Sequence, residues 1–528
     1  MRLPLALFAV LTAIIFAVWW WIGLPVQMPL SPLEPGEKLN CVSYAPFRNG
    51  QSPATRVDAR QIEEDLALLA PVTRCLRTYS TDAGIDQVPE IARRHGLKVI
   101  QGLWLSGEPA KNAIQAETAI ELANRYPDVI TAVVVGNEVL LRGEMAPEDV
   151  LAFIRRVKSQ VQVPVTYADV WEFWLRNPAL LEAVDFVTIH ILPYWEDYPI
   201  PARDAGAHVD AIRKKVAEAF PGKEILIGET GWPSAGRMRE RALPSPVSQA
   251  QVMHDILTRA RRGNFRVNLI EAFDQPWKRV QEGTVGGHWG LHDAYSRQIK
   301  FMWGGAVSDH PAWLWQAAGG VVLTFLTFAA AAGVARGRRL DAWDWLAVAG
   351  TALAPGILIG WAVDNAPVES LGLGGWLRSL AIVAVALAAP LLTAMAVASG
   401  VSVPGFAQVL ARAPDRLRDP FRFALGAVLV LIGVLASERA LGLAFDPRYR
   451  DFGFAPLTAA IVPYLVLVLL RASAGARGAA EVAMAAMLAI CAIYIAINES
   501  LANWQALWCS GALLALAVTL VRVRAAPG

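Results

Sequence analysis

Two glutamates occupy settings that could do chemistry. Glu138 and Glu229 each close an apolar run, the first as Gly136-Asn137-Glu138 and the second as Gly228-Glu229-Thr230-Gly231-Trp232. Carboxylates at the ends of buried strands are costly unless they are paired or used. Two that faced each other could divide one reaction, one protonating a leaving oxygen and the other attacking carbon. That division cleaves a glycosidic bond with retention when the pair sits about 5–5.5 Å apart. Other apolar runs end in Tyr44, Arg77 with Tyr79, Trp104, Asp169, His190 and the stretch Asp274-Gln275-Pro276-Trp277-Lys278. Tyr194, Trp195, Trp232 and Trp277 offer flat faces that stack on sugars or, alternatively, pack between loops. His190 either orients a carboxylate or satisfies the interior. The histidines show no ligand spacing and no glycine-rich phosphate loop is present, so neither metal nor cofactor is expected.

These side chains act together only if their strand ends share one rim. Between residues 38 and 300, β-branched runs alternate with amphipathic helical stretches. The runs at 40–45, 75–80, 98–105, 129–138, 164–169, 185–191, 224–229 and 268–274 read as strands. Residues 59–69, 112–125, 147–160 and 249–262 carry apolar positions at helical spacing. Eight such units in about 260 residues fit a (β/α)8 TIM barrel, whose chemistry sits at the C-terminal strand ends. Glu138 then closes strand four and Glu229 strand seven, on opposite walls of one mouth.

The rest of the chain differs in kind. Over 528 residues the apolar share is 55%, the charged share 18% and the mean hydropathy +0.38. Ordinary soluble domains run at about 45–50% and about 25%. The excess lies in apolar blocks at 3–24, 313–335, 342–363, 376–399, 423–443, 454–471, 479–497 and 501–521. About 20 such residues cross ~30 Å of hydrocarbon as a helix. The first block ends in Trp19-Trp20-Trp21 and Pro25, without a small-residue cleavage site, and is expected to persist as an anchor. Prolines at 25, 29, 32 and 35 imply a stiff tether. Arg336, Arg338, Arg339, Arg412, Arg416, Arg418, Arg422, Arg471, Arg477, Arg522 and Arg524 fall on one side of eight spans, against Arg448 and Arg450 on the other. The positive-inside rule makes that side cytoplasmic, with both termini, and leaves the barrel outside. The expected organisation is an anchor at 1–24, a linker at 25–37, a barrel domain at 38–310 and an all-α multi-span transmembrane domain of about seven helices at 311–528. Glu438, Arg439 and Glu499 near the spans either mark a substrate path or sit at helix ends among headgroups. The lipid bilayer is thus an expected partner, whereas a net charge of +2 leaves no footprint for nucleic acid.

The run ILIGETGWPSAG at residues 225–236 resembles the signature of glycoside hydrolase family 17, the β-1,3-glucanase family. VVGNEV at 134–139 is similar to that family's strand-four motif. The resemblance covers residues 38–300. It implies Glu138 as general acid/base, Glu229 as nucleophile, a covalent glycosyl-enzyme, and Asn137 on the 2-hydroxyl of the attacked sugar. Their places at the strand ends, and the stacking faces of the aromatics, make Tyr44, Arg77, Tyr79, Asp169, His190, Tyr194, Trp232, Trp277 and Lys278 the expected substrate contacts. Plant members carry a Lys and a Glu beyond strand eight; Lys278 and Glu282 stand here at a different spacing. SYAPFR at 43–48, RTYS at 77–80 and DVWEFW at 169–174 look like the bacterial branch. There, membrane proteins with this outer domain are named β-(1,6)-glucan synthases of cyclic β-1,3/1,6-glucan production. That implies a bacterial inner membrane, a β-1,3-glucan or β-1,3/1,6-gluco-oligosaccharide substrate, and a separate membrane glucan synthase as partner. Polymerisation from a nucleotide sugar is not expected, since QALW at 505–508 lacks the arginine of a processive synthase and no sizeable cytoplasmic domain is visible. Three readings follow. Branching or remodelling by transglycosylation leads, plain endo- or exo-hydrolysis follows, and a catalytically silent glucan receptor or export scaffold is opposed by the intact glutamates.

Cys41 and Cys75 take equivalent places on neighbouring strands. An oxidising compartment permits a disulfide there, although a direct bridge between adjacent parallel strands is geometrically awkward. Cys491 and Cys509 read as small apolar residues within the blocks.

Overall fold

The computed structural model describes residues 2–335, 338–410, 419–471 and 476–523. They form two compact units, one within 26–235 and 241–307, the other within 1–25, 236–240 and 308–528.

The first unit is a closed barrel of parallel strands: β1 (Cys41–Ser43), β2 (Cys75–Arg77), β3 (Lys98–Leu103), β4 (Ile130–Asn137), β5 (Val165–Val170), β6 (Val187–His190), β7 (Ile225–Thr230) and β8 (Val267–Leu269). β8 closes the ring on β1 through Cys41–Asn268 and Val42–Leu269. Strands covered on both faces need no alternation, which explains the almost unbroken apolar run of β4. The helices between strands include Ala59–Leu69, Pro109–Arg125, Pro147–Lys158, Ala202–Ala219 and Pro246–Gly263. Asp58 caps the first by accepting from Gln61 N, and Ser245 caps the last by accepting from Ser248 N.

Three expectations are refined. The eighth strand, read to residue 274, ends as a regular ladder at Leu269: Ile270 N and Ala272 N still donate to Thr230 O and Ser43 O on the flanking strands, but Glu271 between them exchanges hydrogen bonds with Trp289 and Leu291. Glu271 therefore begins a loop. Cys41 and Cys75 are disulfide-bonded, their Cα atoms 4.3 Å apart at the N-terminal ends of β1 and β2. The proline-spaced stretch lies along the barrel: Val26–Gln27 pairs with Ala306–Val307, and the carbonyls of Leu30 and Pro32 accept from His254 and Arg261. Proline removes donors but leaves acceptors, and these acceptors find partners.

The second unit is helical: Arg2–Ile22, Trp313–Val334, Ala342–Glu369, Gly372–Ser399, Phe406–Val409, Pro420–Phe445, Phe454–Leu470, Ala479–Asn498 and Trp504–Arg522. Among the described residues seven are long and apolar enough to cross a membrane; Phe454–Leu470, at 17 residues, is shorter. Leu5, Trp21, Leu373, Ile490 and Ile497 stand 63–77% exposed, a surface suited to lipid. The N-terminal helix is packed into this unit, with Ile15 and Trp19 fully buried and Trp19 Nε1 donating to Ile357 O at 3.0 Å. Gly320 and Gly356 allow two helices to touch, since a Cβ on Gly320 would lie 1.8 Å from Gly356 O. Glu438 pairs with Arg378 and Arg450, Arg439 donates to Asp451 O, and Glu499 accepts from Asn503. Arg336, Arg412, Arg416, Arg418 and Arg524 lie outside the described residues.

Candidate active site

The C-terminal ends of β2, β4, β6 and β7 bring five polar side chains to one point. Backbone geometry places the first. Gly136 adopts φ +88°, where any Cβ would also meet Val139 Cγ2 at 2.8 Å. Glu138 follows at φ +52°, a left-handed conformation uncommon outside glycine. This turn is held by Glu138 N donating to Ala168 O at 2.8 Å and Arg142 N donating to Glu138 O at 2.9 Å. The Arg142 side chain donates to Asn137 O and Leu105 O and lies 4.1 Å over the Trp104 ring. At β7, Gly228 permits close packing on β6, because a Cβ there would come within 2.3 Å of Thr188 Cγ2. Glu229 follows, 5% exposed.

Arg77 is the hub. Its buried guanidinium donates from Nη1 to Glu229 Oε1 at 2.8 Å and Gly228 O at 2.9 Å, and from Nη2 to Asn137 Oδ1 at 2.5 Å. His190 Nε2 lies 3.3 Å from the same Nη1, and His190 Nδ1 lies 2.7 Å from Glu138 Oε1. One atom each from Glu138, His190 and Glu229 fall within 4.8 Å of one another. Such a trio has the ligand types for a divalent cation, yet the Arg77 guanidinium already fills the corner between Glu229 and His190 with positive charge. Electrostatics therefore favour two carboxylates facing each other across arginine and histidine.

Burial alone would raise the Glu229 carboxyl. The His190 ring, the Arg77 guanidinium and the Lys278 ammonium together outweigh it and hold Glu229 below the ordinary carboxylate value. Lys278 Nζ sits 3.0 and 3.1 Å from the two oxygens of Glu271, a fully buried carboxylate that burial pushes up to about 7 against the pull of that lysine. Burial raises Glu282 as well.

The sequence candidates separate into two groups. Glu138, Glu229, Asn137, Arg77 and His190 converge; Tyr79 joins them, its ring 4.8 Å beneath the Arg77 guanidinium. Lys278 reaches the cluster electrostatically. Trp277 is half-buried and donates to Gln275 Oε1. Tyr44, Asp169, Tyr194 and Trp232 are completely buried. Tyr44 donates to Asp65, and Trp232 donates to Leu243 O. Tyr194 packs edge-to-face on Trp195, Trp232 and Trp289. Asp169 accepts from Tyr167, Leu140 N and Val170 N, so it braces the turn behind Glu138; burial pushes its carboxyl up to about 6. Sequence reading missed Glu271 and Arg142. The first had a signal: an acid inside the apolar run Leu269-Ile270-Glu271-Ala272-Phe273, read there as strand.

Residues 41–290, a little under half the chain, match the family model described as the BtgE/BtgC glycoside hydrolase domain. A probable β-glucosidase btgE of Aspergillus flavus is 30% identical over 262 residues, 48% of this chain and 42% of that relative. A glucan 1,3-β-glucosidase of Schizosaccharomyces pombe is 28% identical over 232 residues, 40% of this chain and 72% of its own length. The chain thus spans less than half the length of the Aspergillus relative. Among solved structures, the family 17 β-1,3-glucanosyltransferase of Rhizomucor miehei is 25% identical, covering 50% of this chain and 97% of that one with a TM-score of 0.45.

Proposed function

We propose that this chain is a retaining enzyme acting on β-1,3-glucan, with Glu138 as acid/base and Glu229 as nucleophile, and that it remodels or branches the glucan by transglycosylation. The observation carrying this is the approach of the two carboxylates, within 4.8 Å at their nearest atoms. So close an approach of single oxygens supports the spacing of retaining pairs, about 5–5.5 Å between carboxyl groups, over the about 6.5–9.5 Å at which inverting pairs hold a water. Glu229 attacks the anomeric carbon as the bond to the leaving oxygen breaks and Glu138 protonates that oxygen. In the second half, Glu138 takes the proton of an incoming hydroxyl, which displaces Glu229. Asn137, oriented by Arg77, faces the 2-hydroxyl. An acceptor sugar gives transfer and water gives hydrolysis. The hydrolase reading is supported by the β-glucosidase names of the relatives. The helical unit would hold the enzyme in a membrane, with residues 26–307 on the side opposite the arginine-rich loops.

The test is size and linkage analysis of products from the purified full chain incubated with β-1,3-gluco-oligosaccharides of one length. Longer or β-1,6-linked products are expected; shorter products alone establish the hydrolase, and no products overturn the reading. The depressed Glu229 value sets a second expectation. A carboxyl whose folded value is lowered stays ionised as pH falls, and its contribution is lost only on passing through that lowered value. The acidic limb of kcat/KM therefore lies below the ordinary glutamate value of about 4.3. A pH–rate profile checks this, and a limb near pH 6 would contradict it.

A further inference from the structure

His190 touches both reacting carboxylates from a fully buried position, and its two ring nitrogens face chemically different groups. Nε2 looks toward Arg77 Nη1 at 3.3 Å. Both protons of that Nη1 are committed to Glu229 Oε1 and Gly228 O, and a guanidinium nitrogen accepts nothing, so a proton on Nε2 would set donor against donor. Nε2 is also 3.6 Å from Glu229 Oε1, beyond hydrogen-bond reach for a proton of its own. In the neutral ring the proton then belongs on Nδ1, which lies 2.7 Å from Glu138 Oε1. The charged groups around the ring are Arg77 on β2, Glu138 after β4, Asp169 on β5 and Glu229 on β7.

We infer that His190 is a positioning residue that forces the acidic proton of Glu138 onto Oε2, the oxygen free to meet the glycosidic bond. The reason lies in the tautomer. If Nδ1 were bare, the Glu138 hydroxyl would donate to it, and the proton needed by the leaving group would be spent inside the protein. With Nδ1–H donating to Oε1, that oxygen is occupied as an acceptor and the carboxyl proton must sit on Oε2. The Glu138 side chain is 22% exposed, and no protein group among the described residues bonds Oε2. In the first half-reaction the Oε2–H bond breaks and the proton passes to the leaving oxygen as its bond to the anomeric carbon breaks and Glu229 bonds to that carbon. In the second, Oε2 takes the proton of the incoming hydroxyl while that hydroxyl's oxygen replaces Glu229. The Nδ1–H···Oε1 bond persists through both halves, so the histidine neither gains nor loses a proton. Arg77 thereby acts on both carboxylates, on Glu229 directly and on Glu138 through the ring.

The inference rests on the acid/base role proposed for Glu138, but one of its tests needs no substrate. Ring nitrogen shifts of the full chain carrying 15N-histidine, with His190 identified by the signal lost on substitution, should report a neutral Nδ1–H ring at pH 7.5. An Nε2–H ring overturns the inference. The second test compares leaving groups. His190→Leu should lower kcat on β-1,3-gluco-oligosaccharides by about 10²–10³-fold, the usual worth of general acid catalysis, with KM unchanged. A dinitrophenyl β-glucoside leaves without a proton, so its glycosylation step, read from the dinitrophenolate burst, should fall less than about 5-fold. His190→Asn, which restores an N–H toward Glu138 and a carbonyl toward Arg77, should recover activity to within about 10-fold of the parent. Equal losses on both substrates, with no recovery in the Asn variant, would mean a purely structural histidine and overturn the inference. A parent chain inactive on all these glucosides would instead remove the acid/base reading and leave the tautomer result standing.

Discussion

On the proposed double displacement, Glu229→Gln should abolish both cleavage and transfer. The amide is nearly isosteric with the carboxylate, and its oxygen can still accept from Arg77 Nη1 as Oε1 does at 2.8 Å. The barrel should therefore fold and bind sugar, leaving KM close to that of the parent. What disappears is the charge that, in the proposed mechanism, attacks carbon. Without a covalent intermediate the remaining acid and the bound geometry provide only residual acceleration, so kcat should fall by on the order of 10⁴-fold or more. Single-turnover measurements on gluco-oligosaccharides, with the melting temperature recorded beside them, separate this from misfolding. A variant retaining more than about 1% of kcat would place the nucleophile elsewhere, and Glu271 would be the next residue to replace.

Arg77→Met should lower stability and activity together. Arg77 is 1% exposed and pairs with a Glu229 that is 5% exposed. Removing one partner of such a pair leaves a buried charge uncompensated, at a cost of roughly 3–5 kcal/mol. In a domain of this size that is a fall in Tm of roughly 10 °C. The sign of the pH effect follows from the same pair. Arg77 is one of the groups holding Glu229 down, so its removal shifts the Glu229 carboxyl upward. The acidic limb of kcat/KM should then move to higher pH, and activity at neutral pH should fall by about 10³-fold as Asn137 and His190 lose their common anchor. Arg77→Lys restores a charge but not the fork that reaches Glu229 and Asn137 at once. It should recover much of the stability and little of the activity. Thermal unfolding and pH–rate profiles of the two variants test this, and an unmoved acidic limb in Arg77→Met would show that Glu229 owes its ionisation to other groups.

Much of the architecture was legible because it rests on periodicity. The eight apolar blocks and the strand–helix alternation depend on residue type and spacing alone, and the helices Ala59–Leu69 and Trp313–Val334 begin where their apolar runs begin. Glu138 and Glu229 were legible for a related reason: an acid at the end of a buried strand contradicts its surroundings. Which side chains meet was not legible, because that depends on strand register and on how backbone turns aim each residue. Tyr44, Asp169, Tyr194 and Trp232 have the chemistry of sugar ligands, yet the fold turns all of them inward. Glu271 was hidden by the opposite error, since its run has the composition of a strand while its backbone bonds with Trp289 and Leu291. By itself the sequence determined a strand–helix barrel, a set of apolar helices and two glutamates at strand ends. Only the tertiary structure decided that Arg77 lies between Glu229, Asn137 and His190, because contacts among β2, β4, β6 and β7 come from the closure of the barrel and no local pattern encodes them.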